Sequence, residues 1–539
     1  MPTKSVPAKP NLEFDRKQAK ELLVALTTTA SPAENKSAQA RFIAHHPRGL
    51  IEKPQLADAL LVVAREYGFG SWPQWKVFVE TRQLDRAKQA AIAAKAICSN
   101  NLAHARVLLS ADSALACEDV WIACACGEVE IVRGALARDL TLVNCRGGPN
   151  GWEPLQYACF SRFLRADPVR AVGIVEVARL LLTSGADANA HHLAEWQGDR
   201  WRETVLFGAA GIANHAELTR LLLDNGADVN EGFPEPQSFA SKKMPVGPEA
   251  LYHACEFRDT TCLALLLGAK PHAFSVSYTL GRMLDFENRE GVRLFLAHGA
   301  DANFRIPWFE HRTHLHRAIA SDRSAEILTA LLDAGGNPML ADDRGVTPYC
   351  EAVRRGRADV IASMERGGAS GATAEDRLVG QLLRGERASG VKPESLHPDY
   401  LCDAARHNDV HAITALLNAG ADINACNVGD YGSPPLHWAA WRGRFAAVRL
   451  LVERGADIHW VNSYGGAALG TAIHGSANCF DYDGGPAMRL PEEAVAGEYV
   501  EIVEFLIAHG AKLPKRIWYG RESVNEVLRR HGVPDVEDD

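Results

Sequence analysis

No stretch of this 539-residue chain reaches the roughly 18 consecutive apolar residues needed to cross a bilayer. A secretory leader is not expected either. Met1 to Asn11 is polar, carries three prolines and has no apolar core ahead of the amphipathic segment that follows. Positive charge is not in surplus: the formal net charge is -9, spread along the chain, which argues against broad nucleic-acid binding and leaves room only for a local basic face. Phosphate-binding, dinucleotide-binding and zinc-protease signatures are also missing: Gly-x-x-x-x-Gly-Lys-Ser/Thr, Gly-x-Gly-x-x-Gly after a strand, and His-Glu-x-x-His. No cofactor and no metal is therefore expected. Together these absences point to a soluble cytoplasmic protein without membrane or nucleic-acid partners. Hydrophobic residues make up 47% of the chain, so a large core is available and global disorder is excluded.

Twelve cysteines are present, but in no metal-binding arrangement. The gap in Cys124-Ala-Cys126 is too short for the usual zinc pair, and no second pair matches it. Cys98, Cys124, Cys159, Cys255, Cys350 and Cys402 sit among alanines in short helical segments, where a thiol serves as a small buried apolar group. The adjacent pairs His45-His46 and His191-His192 tend to point apart and are expected at the surface.

What the chain does contain is a repeat, clearest from Asp409 to Asn462. Gly420-Ala421-Asp422-Ile423-Asn424 returns as Gly455-Ala456-Asp457-Ile458-His459 after about 35 residues. Between them, Pro435 can open a helix because the first helical position needs no backbone N–H. Leu436, Ala439 and Ala440 then share one helical face. Gly443 allows a sharp turn into a second helix striped by Val448, Leu450 and Leu451, and Gly455 suits the position that ends it. One such helix pair cannot bury its own apolar surface and must stack on copies of itself.

On Pro434-Pro435-Leu436-His437-Trp438-Ala439-Ala440 and the closing Gly-Ala-Asp motifs, the chain resembles the ankyrin repeat, with Pro434 in the place of a threonine. The resemblance implies an all-α fold, an ankyrin-repeat solenoid of stacked helix-turn-helix units. Other copies close at Gly185-Ala186-Asp187, Gly226-Ala227-Asp228, Gly299-Ala300-Asp301, Gly336-Asn337 and Gly368-Ala369. No strand alternation of note appears.

The expected organisation begins with a flexible tail over 1–10. A helical cap follows over 11–85, then a first repeat block over 86–370. Its Leu56-Ala57-Asp58-Ala59, Ala64-Arg65-Glu66-Tyr67-Gly68-Phe69 and Ser71-Trp72-Pro73 resemble the helical leader ahead of bacterial ankyrin-repeat arrays. Residues 371–397 break the rhythm as an eroded repeat or a joint. A second block spans 398–534, carrying an insertion at 475–497 and a terminal helix, and 535–539 is an acidic tail.

In ankyrin-like arrays the two residues after the Ala-Ala of each first helix face the concave side. The resemblance therefore places Arg354, Arg355, Arg406, His407, Trp441 and Arg442 there, with Trp438 beside them. A basic strip ending on indoles suits a protein partner with an acidic surface. Long turns carrying aromatics add Trp196, Trp201 and Trp308 as contact residues. The most probable role under this reading is non-catalytic protein–protein recognition. Two alternatives stand beside it. One is a small-ligand or enzymatic pocket formed by the insertion, using His459, Tyr464, His474, Asn478 and Cys479. The other is a self-associating scaffold.

Overall fold

The computed structural model describes every residue except 1–2, 8, 28–31, 47–48, 52, 100, 197–198, 232–249, 307–308, 428–431, 479–495, 518–519 and 535–539; the side chains of 73, 195–196, 199–200, 478 and 496–497 are also set aside. The chain divides into two compact units. One comprises residues up to 192 together with 204–227, and the other comprises 193–203 together with 228–536. The division does not fall at the polar break 371–397.

The first unit opens with α1 (Leu12–Thr27), α2 (Pro32–His45), α3 (Leu56–Glu66) and α4 (Trp72–Arg82). Ser71 caps α4 by accepting the N–H of Gln74. Trp75 is fully buried and stacks on Tyr67 with ring centroids 4.3 Å apart. Both donate to the buried Asp15 carboxylate, the Tyr67 hydroxyl at 3.1 Å and the Trp75 indole N–H at 3.0 Å. Burial raises the Asp15 carboxyl and pushes the Tyr67 phenol up to about 12.

A second buried acid, Glu66, pairs with Arg41 and, at 2.7 Å, with Lys4. Its carbonyl also accepts the backbone N–H groups of Thr3 and Lys4, each at 2.9 Å. The expected loose tail is thus tied down at residues 3 and 4. A carboxylate removed from water needs a cation, and Lys4 draws its strand in with it. The first histidine pair is likewise inside, because each ring finds a polar partner there. His46 stacks on Phe42 and meets Asp58 at 3.3 Å, while His45 meets the Thr3 hydroxyl at 3.1 Å.

Helix α4 packs on the first repeat, α5 (Arg86–Ile97) and α6 (Leu102–Ala111). Next come α7 (Val120–Cys126) with α8 (Val129–Arg138), then α9 (Pro154–Cys159), the short α10 (Phe163–Ala166) and α11 (Pro168–Thr183). A π-type turn at Phe207–Ile212 and α12 (Ala216–Asp224) follow. Before them, β1 (His191–Trp196) and β2 (Asp199–Thr204) pair as a two-stranded sheet. This hairpin is a local addition to an otherwise helical repeat fold. This turn is much longer than the repeat needs, and extended pairing satisfies backbone groups that an open loop would leave to water.

The second unit continues with α13 (Ala250–Ala254) and α14 (Thr261–Gly268), α15 (Ala273–Asp285) and α16 (Arg289–Ala297), α17 (His314–Ala320) and α18 (Ala325–Asp333), and α19 (Pro348–Arg354) and α20 (Ala358–Arg366). Helix α21 (Ala374–Leu383) stands alone. The pairs α22 (Pro398–Arg406) with α23 (Val410–Asn418), α24 (Pro435–Trp441) with α25 (Phe445–Glu453), and α26 (Ala468–Asn478) with α27 (Ala496–Ala508) follow, closed by α28 (Glu522–Arg530).

The motif residues act as couplers between repeats. The Asp of each closing motif forms a local turn; Asp187 accepts the N–H of Asn189 at 2.9 Å. The Asn two residues later reaches the next copy. Asn303 donates to the Gly335 carbonyl at 2.9 Å and accepts the Asn337 N–H at 2.7 Å, and Asn144 makes the same two bonds to Gly185 and Asp187. The first-helix histidine does this at the other end. His316 accepts from the Thr313 N–H and donates to the Val346 carbonyl at 3.0 Å, while His437 donates to the Gly466 carbonyl at 3.0 Å. Burial pushes the His316 imidazole down to about 4, so at neutral pH it is an uncharged spacer. Asn303→Ala is expected to cost about 1–2 kcal/mol, since it removes two net hydrogen bonds. Hydrogen exchange at residues 335–337 reads the loss, and unchanged protection there would refute the coupling role.

The polar break at 371–397 keeps only its first helix. Thr373 caps α21, which packs on both α19 and α23. The return path is irregular apart from a short 3-10 turn at Pro393–Ser395, with Leu396 buried and Ala388 and Val391 partly buried against the same core. Pro393 opens that turn, where its missing N–H costs nothing, while Gly385 and Gly390, both at positive φ, keep the chain ahead of it from continuing α21. The cysteines Cys98, Cys124, Cys126, Cys159, Cys255 and Cys402 are buried free thiols, and burial pushes the Cys126 thiol up to about 12.

Candidate functional site

The first helices α22, α24 and α26 stand in sequence in the second unit, α24 packed between the other two. Trp438 and Trp441 lie three residues apart on α24, hence on adjoining positions of one face, and both are half-buried. Each is held by a neighbouring repeat. The Arg406 guanidinium lies over the Trp438 ring, 3.9 Å from its centroid, and the Trp438 indole N–H donates to Asn427 at 3.1 Å. His474, from α26, stacks on Trp441 at 5.3 Å with planes 28° apart. The Trp441 carbonyl accepts the Tyr499 hydroxyl at 2.7 Å. Gly475 backs closely onto the same carbonyl; a side chain there would collide with it. Arg442, half-buried, ends α24, and His407, exposed, ends α22 with its ring bonded to the Asp403 carbonyl at 2.9 Å.

The other members of the expected basic strip stand differently. Arg354 bonds Asp376 at 2.6 Å and the Tyr400 hydroxyl at 2.9 Å. Arg355 bonds Glu351 at 2.6 Å, Asp403 at 2.8 Å and the Ala320 carbonyl at 3.0 Å. Arg312, buried, meets Asp399 at 2.6 Å, with Asp342 at 3.6 Å and Glu351 at 3.9 Å. Burial would raise the Glu351 carboxyl, but Arg355 and Arg312 outweigh it and hold that group far below the usual carboxylate range. These arginines therefore tie α22 to α19 across the single-helix repeat. Only the i,i+4 pair Glu351–Arg355 is local; the other partners lie 22 to 87 residues apart, so each reads alone as a surface charge.

Among the turn residues, His459 and Tyr464 are exposed on the turn ahead of α26, together with Trp460, whose indole N–H donates to the Gly432 carbonyl at 3.1 Å. Trp201, on β2, is half-buried and donates to Glu203 at 3.4 Å. Trp308 and Cys479, with most of the 475–497 insertion, lie outside the described residues, as do the side chains of Trp196 and Asn478. Among the described residues, no group of three or more His, Cys, Asp or Glu side chains is placed to hold a metal ion, and no helix is long and apolar enough to cross a membrane.

Comparison with known proteins matches this same stretch. Residues 401–452, from α22 through α25, match the family model of ankyrin repeats (many copies). The chain is 27% identical over 208 residues to the ankyrin repeat domain-containing protein SAT10 of Stachybotrys chartarum, covering 37% of this chain and 9% of that protein. It is 29% identical over 120 residues to an ankyrin repeat and KH domain-containing protein of Caenorhabditis briggsae, covering 21% of this chain and 4% of that protein. It is 37% identical over 71 residues to the palmitoyltransferase AKR1 of Candida albicans, covering 13% of this chain and 8% of that protein. The chain spans at most 20% of the length of the curated relatives it matches. These relatives come from fungi, animals and plants, and nothing in them points to the bacterial origin that the leader suggested. Repeat period, inter-repeat couplers and family match agree: the chain carries an ankyrin-repeat domain and has an all-α repeat fold.

Proposed function

We propose that the chain is a non-catalytic scaffold for protein recognition, and that its principal contact surface is the row formed by α22, α24 and α26. Ankyrin repeats generally mediate protein–protein interaction. The observation that carries the surface assignment is the pair Trp438 and Trp441, fixed by Arg406 and His474 yet still partly open. Large aromatic groups held in place before binding make efficient anchors, because little side-chain entropy remains to be lost. Arg406, His407 and Arg442 surround them with polar contacts. Trp460 and Tyr464 on the following turn extend the exposed aromatic area. The reading assigns no reaction to His474, whose ring is engaged with Trp441.

Changing Trp441 and Arg442 together to alanine should abolish capture of proteins that the wild-type chain retains, with the helical circular dichroism unchanged. An undiminished set of captured proteins would rule this surface out.

A further inference from the structure

We propose that the α22–α24–α26 row takes an acidic peptide segment, one that sets a carboxylate against Arg406 and an apolar side chain against Trp441. This rests on the recognition reading above. The first argument is charge balance. Helices α24 and α26 contain no Asp or Glu at all. The two carboxylates of α22 are already engaged, Asp399 by Arg312 ahead of α17 at 2.6 Å and Asp403 by Arg355 at the end of α19 at 2.8 Å. Arg406, at the end of α22, therefore meets no carboxylate from α24 or α26, and Arg442 adds a second cation to the same face.

The second argument is the state of Arg406. Arg355 makes three contacts within 3.0 Å, two of them to carboxylates. Arg406 has one carboxylate contact, a long one to Asp403 at 3.5 Å, and its Nε has no hydrogen-bond partner. Among the described residues its charge is thus only partly offset, and its side chain remains 21% exposed, within reach of a partner. Stacking on Trp438 holds the planar guanidinium while leaving that charge in place. A planar, oriented guanidinium matches a carboxylate better than a mobile lysine would.

The test uses the full chain and fluorescently labelled peptides of repeated Gly-Glu-Leu and, as the neutral match, Gly-Gln-Leu. Anisotropy titration should show the Glu peptide binding about tenfold tighter, with the preference fading as salt rises toward about 0.5 M. Arg406→Gln and, separately, Arg442→Gln should each reduce the preference, with thermal melts confirming that both variants fold. Trp441→Ala should weaken both peptides alike. Equal affinity for the two peptides, a preference untouched by both arginine variants, or tighter binding of a labelled single-stranded RNA oligomer would each overturn the proposal. The two readings fail separately. If Trp441→Ala with Arg442→Ala abolishes protein capture while the peptides bind equally, the surface stands and its acidic partner falls. If protein capture is unaffected, the surface itself falls.

Discussion

Arg355→Ala is expected to destabilise the second unit by about 3–5 kcal/mol, the usual cost of stranding a buried charge. The guanidinium holds Glu351, which is fully buried, and Asp403, and it joins α19 to α22. Removing it leaves Glu351 with the Tyr400 hydroxyl at 2.9 Å and Arg312 only at 3.9 Å. Repeat arrays lose cooperativity when an interface weakens, so the effect should concentrate locally. Hydrogen exchange should show α19 and α22 losing protection while the first unit is unchanged. Replacing both Arg355 and Glu351 by methionine should recover most of the loss, because a buried pair exchanged for apolar groups of similar size is often neutral. Full protection in Arg355→Ala would refute the coupling role.

Two acids of the second unit, in separate clusters, set a pH dependence. Glu351 is held far below its ordinary range, and Glu256 falls to about 2 because His253 and Arg282 outweigh the effect of its burial. A carboxyl whose folded value lies below its unfolded value stabilises the fold above the unfolded value. That contribution fades as pH falls toward the folded value. The second unit should therefore lose stability between about pH 5 and pH 2. Arg355→Ala should flatten this slope by removing the cation that lowers Glu351. A midpoint independent of pH across that window would contradict the assignment.

Gly127→Val is expected to destabilise the first unit by about 2–4 kcal/mol, combining backbone strain with overpacking. Gly127 ends α7 with φ of 80°, where a β-branched residue is strongly disfavoured. A Cβ added there would lie 2.6 Å from the Ile174 nitrogen and 2.8 Å from the Arg170 carbonyl oxygen, both in α11. The two repeats meet backbone to backbone at this point, so neither can yield by a rotamer change. Gly185→Ala separates the two effects: Gly185 also has positive φ, at 96°, but nothing lies within 4 Å of an added Cβ. It should cost only the strain, about 1 kcal/mol. Equal melting shifts in the two variants would show that the close approach contributes nothing.

Much of this was legible along the chain. Proline at the first helical turn, the 3.6-residue apolar stripes and the closing Gly-Ala-Asp motifs are local signals, and they mark the helix pairs from α15 through α25. The pairing of Trp438 with Trp441 was also legible, because positions three apart on one helix must adjoin. The turn histidines His45 and His46 misled because adjacency says which way two side chains diverge, not how thick the protein is around them. The β1–β2 hairpin was missed because long turns carry no periodic signal of their own. Lys4 and Thr3 looked like a polar tail, and only the burial of Glu66, more than sixty residues later, gives them a fixed place.

The sequence by itself determined the repeat, its helical class and the stacking of copies, since each unit's apolar stripe can be covered only by its neighbours. It also marked the stretch around Trp441 as the place where aromatics and arginines gather. Only the tertiary structure decided which arginines are engaged within the fold and which one is left partly paired. Arg354, Arg355 and Arg406 follow the same motif position in the repeats on either side of the single-helix one and read alike. They differ because Asp376, Glu351, Asp403 and Tyr400 come within 3 Å of the first two, while Arg406 faces an indole and a single distant carboxylate. Electrostatic pairing depends on distance in space, falls off over a few ångströms and leaves no trace in the order of the residues.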